Sequence, residues 1–216
     1  MNVEQALAPL VLIVSGPSGS GKSTLVQRLL QMPDTMASRS CTTRPRRATE
    51  ASSKCYDFVS EPEFEAMVSR GEFLEYARVF GKHSYGTPKK WLEQSRANGL
   101  DLVLEIDVQG AAQVKEKLPE SVAIFILPPS REELERRLRG RGQDSDDEIA
   151  RRLARAHSEI EAFAKYDYCV VNDDMERAGR EVEAILTAIR CSSARRRGRV
   201  ERLLASFESD VHRTTG

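Results

Sequence analysis

The stretch Gly16-Pro-Ser-Gly-Ser-Gly21-Lys22-Ser23 decides the fold of this 216-residue chain. It satisfies the pattern G-x-x-x-x-G-K-[ST], in which glycines let successive backbone N–H groups converge on phosphate oxygens at the N-terminus of a helix. The apolar run from Leu10 to Val14 precedes it, and apolar residues at helical spacing follow it, namely Leu25, Val26, Leu29 and Leu30. A buried strand, a phosphate-binding loop and a helix are therefore predicted in that order.

The residues of this loop are predicted to bind a nucleoside triphosphate. Lys22 supplies a point charge for the phosphates, and the Ser23 hydroxyl is the predicted ligand of Mg²⁺. Average residue usage makes a chance match in a chain of this length an event of about one per cent. The residues predicted to bind this triphosphate are Gly16, Pro17, Ser18, Gly19, Ser20, Gly21, Lys22, Ser23 and Thr24. The loop does not reveal the acceptor, because kinases, GTPases and ATPases share it.

The length of the chain predicts one folding unit, and its composition is that of an ordinary globular protein. The 33 basic and 33 acidic side chains cancel, so no global field predicts binding to nucleic acid or to a membrane. The cysteines are scattered without a C-x-x-C pair, which predicts neither a zinc site nor a disulfide framework and favours a reducing cytoplasm. The first ten residues lack a basic region ahead of an apolar run, so nothing in them predicts export.

Buried strands alternate with helices beyond the loop. Apolar runs predict further strands at 102–106, 122–127 and 168–171. This alternation predicts a parallel sheet covered on both faces, with ligands bound beyond the carboxyl ends of the strands.

Capping signals place the helices between these strands. Serine capping boxes predict helices that begin after Ser60, Ser130 and Ser145. Another helix is predicted over 88–98 with Thr87 as its cap, and the apolar face of the helix after Ser145 is predicted to reach Phe163.

The chain changes composition after Cys191. Arginines cluster there and are followed by the apolar residues Val200, Leu203, Leu204 and Phe207. This C-terminal extension, 191–216, is predicted to be either a helical appendage or a loose tail, and its role is not predicted.

Six motifs together resemble the guanylate kinase family, in its bacterial type. They are, in order, Ser40-Cys-Thr-Thr-Arg44-Pro-Arg-Arg47, Tyr56-Asp-Phe58, Phe73-Leu-Glu75-Tyr76, Tyr85-Gly-Thr87, Leu104-Glu-Ile-Asp107-Val-Gln-Gly110 and Val171-Asn-Asp173. The resemblance implies an α/β P-loop nucleoside monophosphate kinase fold, in which a parallel sheet flanked by helices carries a small GMP-binding insertion and a lid. It also implies that the chain transfers the γ-phosphoryl group of ATP to GMP, and to dGMP, giving ADP and GDP.

The residue types of these motifs suit a guanine monophosphate. Arginine forks grip phosphate bidentately, and carboxylates and hydroxyls match the N–H donors and the acceptors of guanine. AMP would leave those carboxylates incompletely paired, so discrimination against it is expected. The GMP-binding residues that the resemblance implies are Ser40, Arg44, Arg47, Tyr56, Glu75, Tyr85, Thr87 and Asp107. Singly, each would more often be a packing or solvated residue, so the prediction rests on their joint order.

An arginine-rich segment resembles the lid of the same family. It reads Arg136-Arg-Leu-Arg-Gly-Arg141-Gly142 and continues to Arg151-Arg152. Arginines that arrive when a lid closes would stabilise the charge of the migrating phosphoryl group. The catalytic residues implied are Lys22, Arg44, Arg137, Arg141 and Arg152. A helix with solvent-facing i,i+4 ion pairs remains the alternative for this segment.

The predicted organisation is a kinase of three parts. These are a core made of 1–39, 99–136 and 153–190, a GMP-binding region at 40–98 and a lid at 137–152. Two other functions remain open: a P-loop kinase of a phosphorylated ribose compound, and a non-catalytic interaction module of the same fold. The pair Glu75 and Asp107 favours guanine over a sugar, and Lys22 favours catalysis over a module. Oligomeric state is not predicted.

Overall fold

A computed structural model describes residues 9–46, 56–79, 83–140 and 145–211. In this part of the chain the strands are β1 (Val11–Ser15), β2 (Thr35–Ala37), β3 (Ser40–Thr42), β4 (Tyr56–Phe58), β5 (Phe73–Val79), β6 (His83–Pro88), β7 (Asp101–Glu105), β8 (Val122–Leu127) and β9 (Tyr168–Val171). The helices are α1 (Lys22–Leu29), α2 (Glu61–Ser69), α3 (Lys90–Asn98), α4 (Val108–Lys117), α5 (Arg131–Arg139), α6 (Asp146–Ile160), α7 (Met175–Cys191) and α8 (Ser193–Val211), with a 3-10 helix at Glu161–Lys165.

Five strands form a parallel sheet in the order β2-β7-β1-β8-β9. The central strand β1 is buried along its whole length, and its side chains alternate between the two faces. Leu12 and Val14 pack on one face with residues of α1 and α7, and Ile13 packs on the other with β7 and α4. The parallel sheet covered on both faces is confirmed, and each buried leucine or valine contributes about 1.5–3 kcal/mol to it.

A second, four-stranded sheet follows the order β4-β3-β6-β5. Its strands β3 and β4 are parallel, whereas β6 is antiparallel to both β3 and β5. The helix α2 covers this sheet with Phe64, whose ring stacks on Phe73 at a centroid distance of 4.6 Å. The whole sheet lies within the region predicted to bind GMP, although the boundaries of the predicted regions stay a prediction.

The serine caps are confirmed, and two other predictions about helices are wrong. The hydroxyls of Ser60, Ser130 and Ser145 each accept a backbone N–H of their helix. Thr87 is not a cap, because it lies inside β6 and α3 begins only at Lys90. Phe163 does not extend the apolar face of α6, since the helix ends at Ile160 and the ring is 51% exposed in the 3-10 helix.

Within the described part of the C-terminal extension, residues 193–211 form the helix α8, as one of the two alternatives predicted. The apolar side chains of α8 that the structure describes are exposed, from 49% at Val200 to 66% at Phe207. A bilayer crossing needs about 20 apolar residues in succession. Among the described residues, no helix has both the length and the hydrophobicity for such a crossing.

Candidate active site

One cleft opens at the carboxyl ends of β1 and β7, between the phosphate-binding loop and the second sheet. Its volume is about 340 Å³. The phosphate-binding loop, the second sheet and α6 all line it, through residues that include Gly16, Ser18, Gly19, Gly21, Lys22, Ser23, Thr24, Ser40, Tyr56, Glu75, Tyr85, Glu105, Asp107, Arg152, Arg155 and Glu159. The residues predicted to bind ATP and those predicted to bind GMP therefore line one cavity, at the edge of the parallel sheet where ligands are expected.

The buried side chain of Asn172, which is 1% exposed, holds the phosphate-binding loop in place. Its Nδ2 donates to the carbonyl of Ser20 at 2.7 Å. Gly21 is the N-cap of α1 and has a φ of 93°, and a Cβ at this position would lie 2.1 Å from Asn172 Nδ2. Only glycine satisfies both the left-handed backbone and this contact. The Lys22 side chain folds back over the loop, and its ammonium group donates to the carbonyls of Gly16 and Pro17 at 2.6 and 2.9 Å.

Glu105 lies at the mouth of this loop and was missed from sequence. The Ser23 hydroxyl donates to Glu105 Oε1 at 2.6 Å. Glu105 is the last residue of β7, which pairs directly with β1, so the sheet brings its carboxylate to the loop. A carboxylate at the end of a buried strand next to a phosphate-binding loop was the signal that could have identified it.

A chain of hydrogen bonds in the second sheet ends on Glu75. The Thr87 hydroxyl donates to Glu75 Oε1 at 2.6 Å, and the Ser40 hydroxyl lies 3.3 Å from Thr87 Oγ1. Glu75 is only 4% exposed. Burial raises the pKa of this carboxyl to about 7, with the Asp107 carboxylate adding to the rise and the Thr87 hydroxyl opposing it.

Asp107 caps α4 and also faces the cleft. Its Oδ1 accepts the backbone N–H groups of Gln109 and Gly110 at 3.0 and 2.9 Å, and its Oδ2 accepts from Arg155 Nη2 at 3.1 Å. Gly110 lies against Glu75, because a Cβ at that glycine would be 2.5 Å from Glu75 Oε2. The predicted contact of Asp107 with guanine stays a prediction, and the capping role is a finding.

Arg44 lies between the two tyrosines predicted to bind the monophosphate. Its Nε donates to the Tyr85 hydroxyl at 3.1 Å, and its guanidinium carbon lies 5.7 Å from the centroid of the Tyr56 ring. The two tyrosine rings meet edge to face at 5.9 Å. Three of the side chains predicted to bind the monophosphate, Arg44, Tyr56 and Tyr85, therefore lie together. The fourth, Arg47, falls outside the described residues.

The predicted lid arginines occupy different environments. Arg152 lines the cleft and donates from Nη1 to the Ser18 hydroxyl at 3.3 Å. Arg137 is absent from the lining of the cleft; its Nε donates to Glu133 at 2.7 Å and its Nη2 to the Asn172 carbonyl at 2.9 Å. The alternative of surface pairing describes part of α5, where Arg139 lies 2.9 Å from Glu135. Arg141 falls outside the described residues.

Two further cleft residues come from α6 and were missed from sequence. Arg155 donates to Glu159 at 2.6 Å and to Asp107. Glu159 is 8% exposed, and burial raises its pKa while the neighbouring guanidinium of Arg155 opposes the rise. Arg152, Arg155 and Glu159 recur at helical spacing, which is the signal that places them on one face of α6.

Comparison with known proteins identifies the family. The family model described as guanylate kinase matches residues 9–189. The chain belongs to the guanylate kinase family. Guanylate kinase of Escherichia coli (strain K12) is 47% identical over 201 residues, which make up 92% of this chain and 97% of that protein. Guanylate kinase of Salmonella typhi has the same identity and the same coverage.

A solved guanylate kinase has the same fold. The crystal structure of guanylate kinase from Anaplasma phagocytophilum superposes with a TM-score of 0.73 at 36% identity, and covers 87% of this chain and 89% of that chain. The resemblance to the guanylate kinase family and the predicted P-loop nucleoside monophosphate kinase fold are thus confirmed. The individual roles of the site residues in this guanylate kinase family member remain predictions.

Proposed function

We propose that the cleft transfers the γ-phosphoryl group of ATP to GMP, and to dGMP, giving ADP and GDP or dGDP. One observation carries the proposal: Lys22 of the phosphate-binding loop and the buried Glu75 of the second sheet line the same cavity. The alternatives fit less well. The pair Glu75 and Asp107 matches the N–H donors on one edge of guanine better than the scattered hydroxyls of a sugar phosphate, and an interaction module needs neither Lys22 nor Ser23. Whole-length similarity to proteins named guanylate kinase favours the same activity.

On the donor side, the backbone of the loop and Lys22 receive the triphosphate. The lysine ammonium already lies at the loop carbonyls of Gly16 and Pro17, so it needs only to swing toward the phosphates. The Ser23 hydroxyl and the Glu105 carboxylate are oxygen donors, which fit Mg²⁺, an ion that keeps several waters and binds few protein ligands. Bound Mg²⁺ supplies charge neutralisation at the phosphate oxygens of ATP.

On the acceptor side, Glu75 accepts hydrogen bonds from the N–H groups of guanine. The hydroxyls of Thr87 and Ser40 hold the Glu75 carboxylate in place. Arg44, Tyr56 and Tyr85 bind the monophosphate through charge-assisted hydrogen bonds. The attacking phosphate oxygen of GMP is anionic near neutral pH, so we assign no general base. Arg47 shares the phosphate-binding role in this proposal.

The lid arginines stabilise the negative charge of the phosphoryl group in the transition state of its transfer. Arg152 on α6 already reaches Ser18 of the loop. Arg137 and Arg141 join it when the lid, 137–152, closes over ATP and the GMP-binding region, 40–98, closes over the acceptor. Closure excludes water and strengthens each electrostatic contact. The enzyme works on these small molecules in the cytoplasm, without nucleic acid or membrane as a partner.

The first test measures ADP production from Mg-ATP with GMP, dGMP, AMP, CMP, UMP and ribose phosphates offered in parallel. We expect turnover with GMP and dGMP alone. ATP binding without use of any nucleotide would instead support one of the alternatives.

The matched variants are Lys22→Ala and Lys89→Ala. Lys22→Ala removes one charge that acts on the transferring phosphate, so kcat is expected to fall by about 10²–10³-fold. Lys89 is exposed and lies outside the cleft lining, so Lys89→Ala is expected to retain wild-type kcat. Equal kcat for Lys22→Ala and the wild type would contradict the assigned role.

A further inference from the structure

The helix α6 presents two arginines to the cleft, and they reach opposite sides of it. Arg152 and Arg155 are three residues apart and therefore share one face of the helix. Arg152 donates to Ser18 of the phosphate-binding loop at 3.3 Å. Arg155 donates to Asp107, at the start of α4, at 3.1 Å. One rigid helix thus contacts both the donor side and the acceptor side.

Arg155 is held in direction by a second carboxylate. Its Nε donates to Glu159 Oε1 at 2.6 Å, and its side chain is 23% exposed. The Glu159 side chain is 10% exposed, so an unpaired charge there would be costly. The pair with Glu159, one helical turn away, orients the guanidinium so that Nη2 points to Asp107.

Asp107 transmits this contact to the acceptor pocket. Its other oxygen, Oδ1, accepts the backbone N–H of Gly110 at 2.9 Å. Gly110 in turn lies so close to Glu75 that a Cβ there would be 2.5 Å from the Glu75 carboxylate. The path from Arg155 to Glu75 thus consists of two hydrogen bonds, Arg155 to Asp107 and Gly110 to Asp107, and the close approach of Gly110 to Glu75.

We infer that Arg155 is a positioning residue for acceptor recognition. It holds the Asp107 carboxylate and the first turn of α4 in the arrangement that places Glu75 for guanine, and it does so from α6. The inference rests on the proposed function, because it concerns use of the acceptor GMP. The donor side keeps Arg152 and the loop, so loss of Arg155 changes GMP binding much more than ATP binding.

Steady-state kinetics of full-length Arg155→Ala test this inference, with Arg151→Ala as the control. Arg151 is exposed on the same helix and pairs with Glu148, away from the cleft. We expect Arg155→Ala to raise KM for GMP about tenfold and to lower the preference for GMP over AMP, as removal of a coupled charged contact does. KM for ATP is expected to stay within about twofold. Arg151→Ala is expected to match the wild type.

A merely structural role is separated by a double-mutant cycle and a conservative variant. Because Glu159 acts through Arg155, the Arg155→Ala/Glu159→Gln double variant should bind GMP no more weakly than Arg155→Ala alone. Arg155→Lys, which keeps the charge without the planar fork, should show an intermediate KM for GMP. Calorimetric titration of GMP into the milder Arg155→Gln variant gives the same comparison if Arg155→Ala does not fold.

Three results would overturn the inference. They are an equal rise of KM for ATP and for GMP in Arg155→Ala, full additivity in the cycle, and unchanged kinetics of Arg155→Ala. Wild-type turnover of GMP together with an unaffected Arg155→Ala would reject the positioning role and leave the proposed function standing. Absence of GMP turnover in the wild type would reject both.

Discussion

Glu75 is a buried carboxyl group, and we expect its burial to make acceptor binding depend on pH. Its pKa in the folded protein is about 7, against an ordinary value of 4.5, because water is excluded from it. Guanine donates N–H groups, which the ionised carboxylate accepts best. We therefore expect KM for GMP to fall as pH rises through about 7. The pH profile of Glu75→Gln should lack this step, which separates it from the titration of the GMP phosphate itself.

The same carboxyl should make folding stability depend on pH. A folded-state pKa above the unfolded value means that the folded protein holds a proton that the unfolded chain releases. The contribution of Glu75 to the free energy of unfolding is fully present below about pH 4.5 and is lost as pH rises through about 7. The loss amounts to roughly 3 kcal/mol, at about 1.4 kcal/mol per unit of pKa difference. Denaturant unfolding of wild type and Glu75→Gln between pH 4.5 and 8 measures it. A constant difference between the two proteins across that range would contradict the burial effect.

Gly110 lies so close to the Glu75 carboxylate that no larger residue fits at its position without a shift. Alanine is about 1 kcal/mol better than glycine inside a helix, but here its Cβ would lie 2.5 Å from the Glu75 carboxylate. We expect Gly110→Ala to displace that carboxylate and raise KM for GMP several-fold, with KM for ATP unchanged. Gly198→Ala in α8, where a Cβ would lie 3.7 Å from its nearest neighbour, is the control and should keep wild-type kinetics.

At the scale of elements, α7 and α8 show what packing adds to a helix. Both carry apolar residues at helical spacing, yet Leu186 of α7 is 0% exposed in the core and Leu203 of α8 is 57% exposed. Leu186→Ala should cost about 2–5 kcal/mol of unfolding free energy through lost burial and a cavity. Leu203→Ala should change it by less than about 0.5 kcal/mol. Urea denaturation of both variants checks the contrast, and similar losses would mean that α8 is packed in solution.

For the whole molecule, ligand binding between the two sheets should stabilise the folded state. GMP at a hundred times its Kd would add about 2.7 kcal/mol, which for a chain of this size raises Tm by roughly 5–10 °C. AMP at the same concentration is the control and should raise Tm far less, because it leaves Glu75 without its N–H partners. Thermal unfolding followed by circular dichroism measures both. Equal shifts for GMP and AMP would contradict guanine selectivity.

Features encoded by neighbouring residues were predictable from sequence. The strand, loop and helix around Lys22, the caps at Ser130 and Ser145, and the buried strand β8 all follow from periodicity or from side chains within four residues of the backbone groups they bind. Motif order also predicted that Ser40, Glu75 and Thr87 act together, and the structure joins them by hydrogen bonds. These signals are local or belong to a recognised order of motifs, so a single sequence carries them.

What only the tertiary structure decided depends on residues far apart in the chain. Ser23 meets Glu105 across 82 positions, because β1 pairs with β7. Threonine is a residue type that often caps helices, yet strand pairing in the second sheet places the Thr87 hydroxyl where it donates to Glu75 instead. Arg155 reaches Asp107 only because α6 packs over the cleft. Sheet order and helix packing are collective outcomes of core burial, so the sequence around each residue does not state which distant partner it will contact.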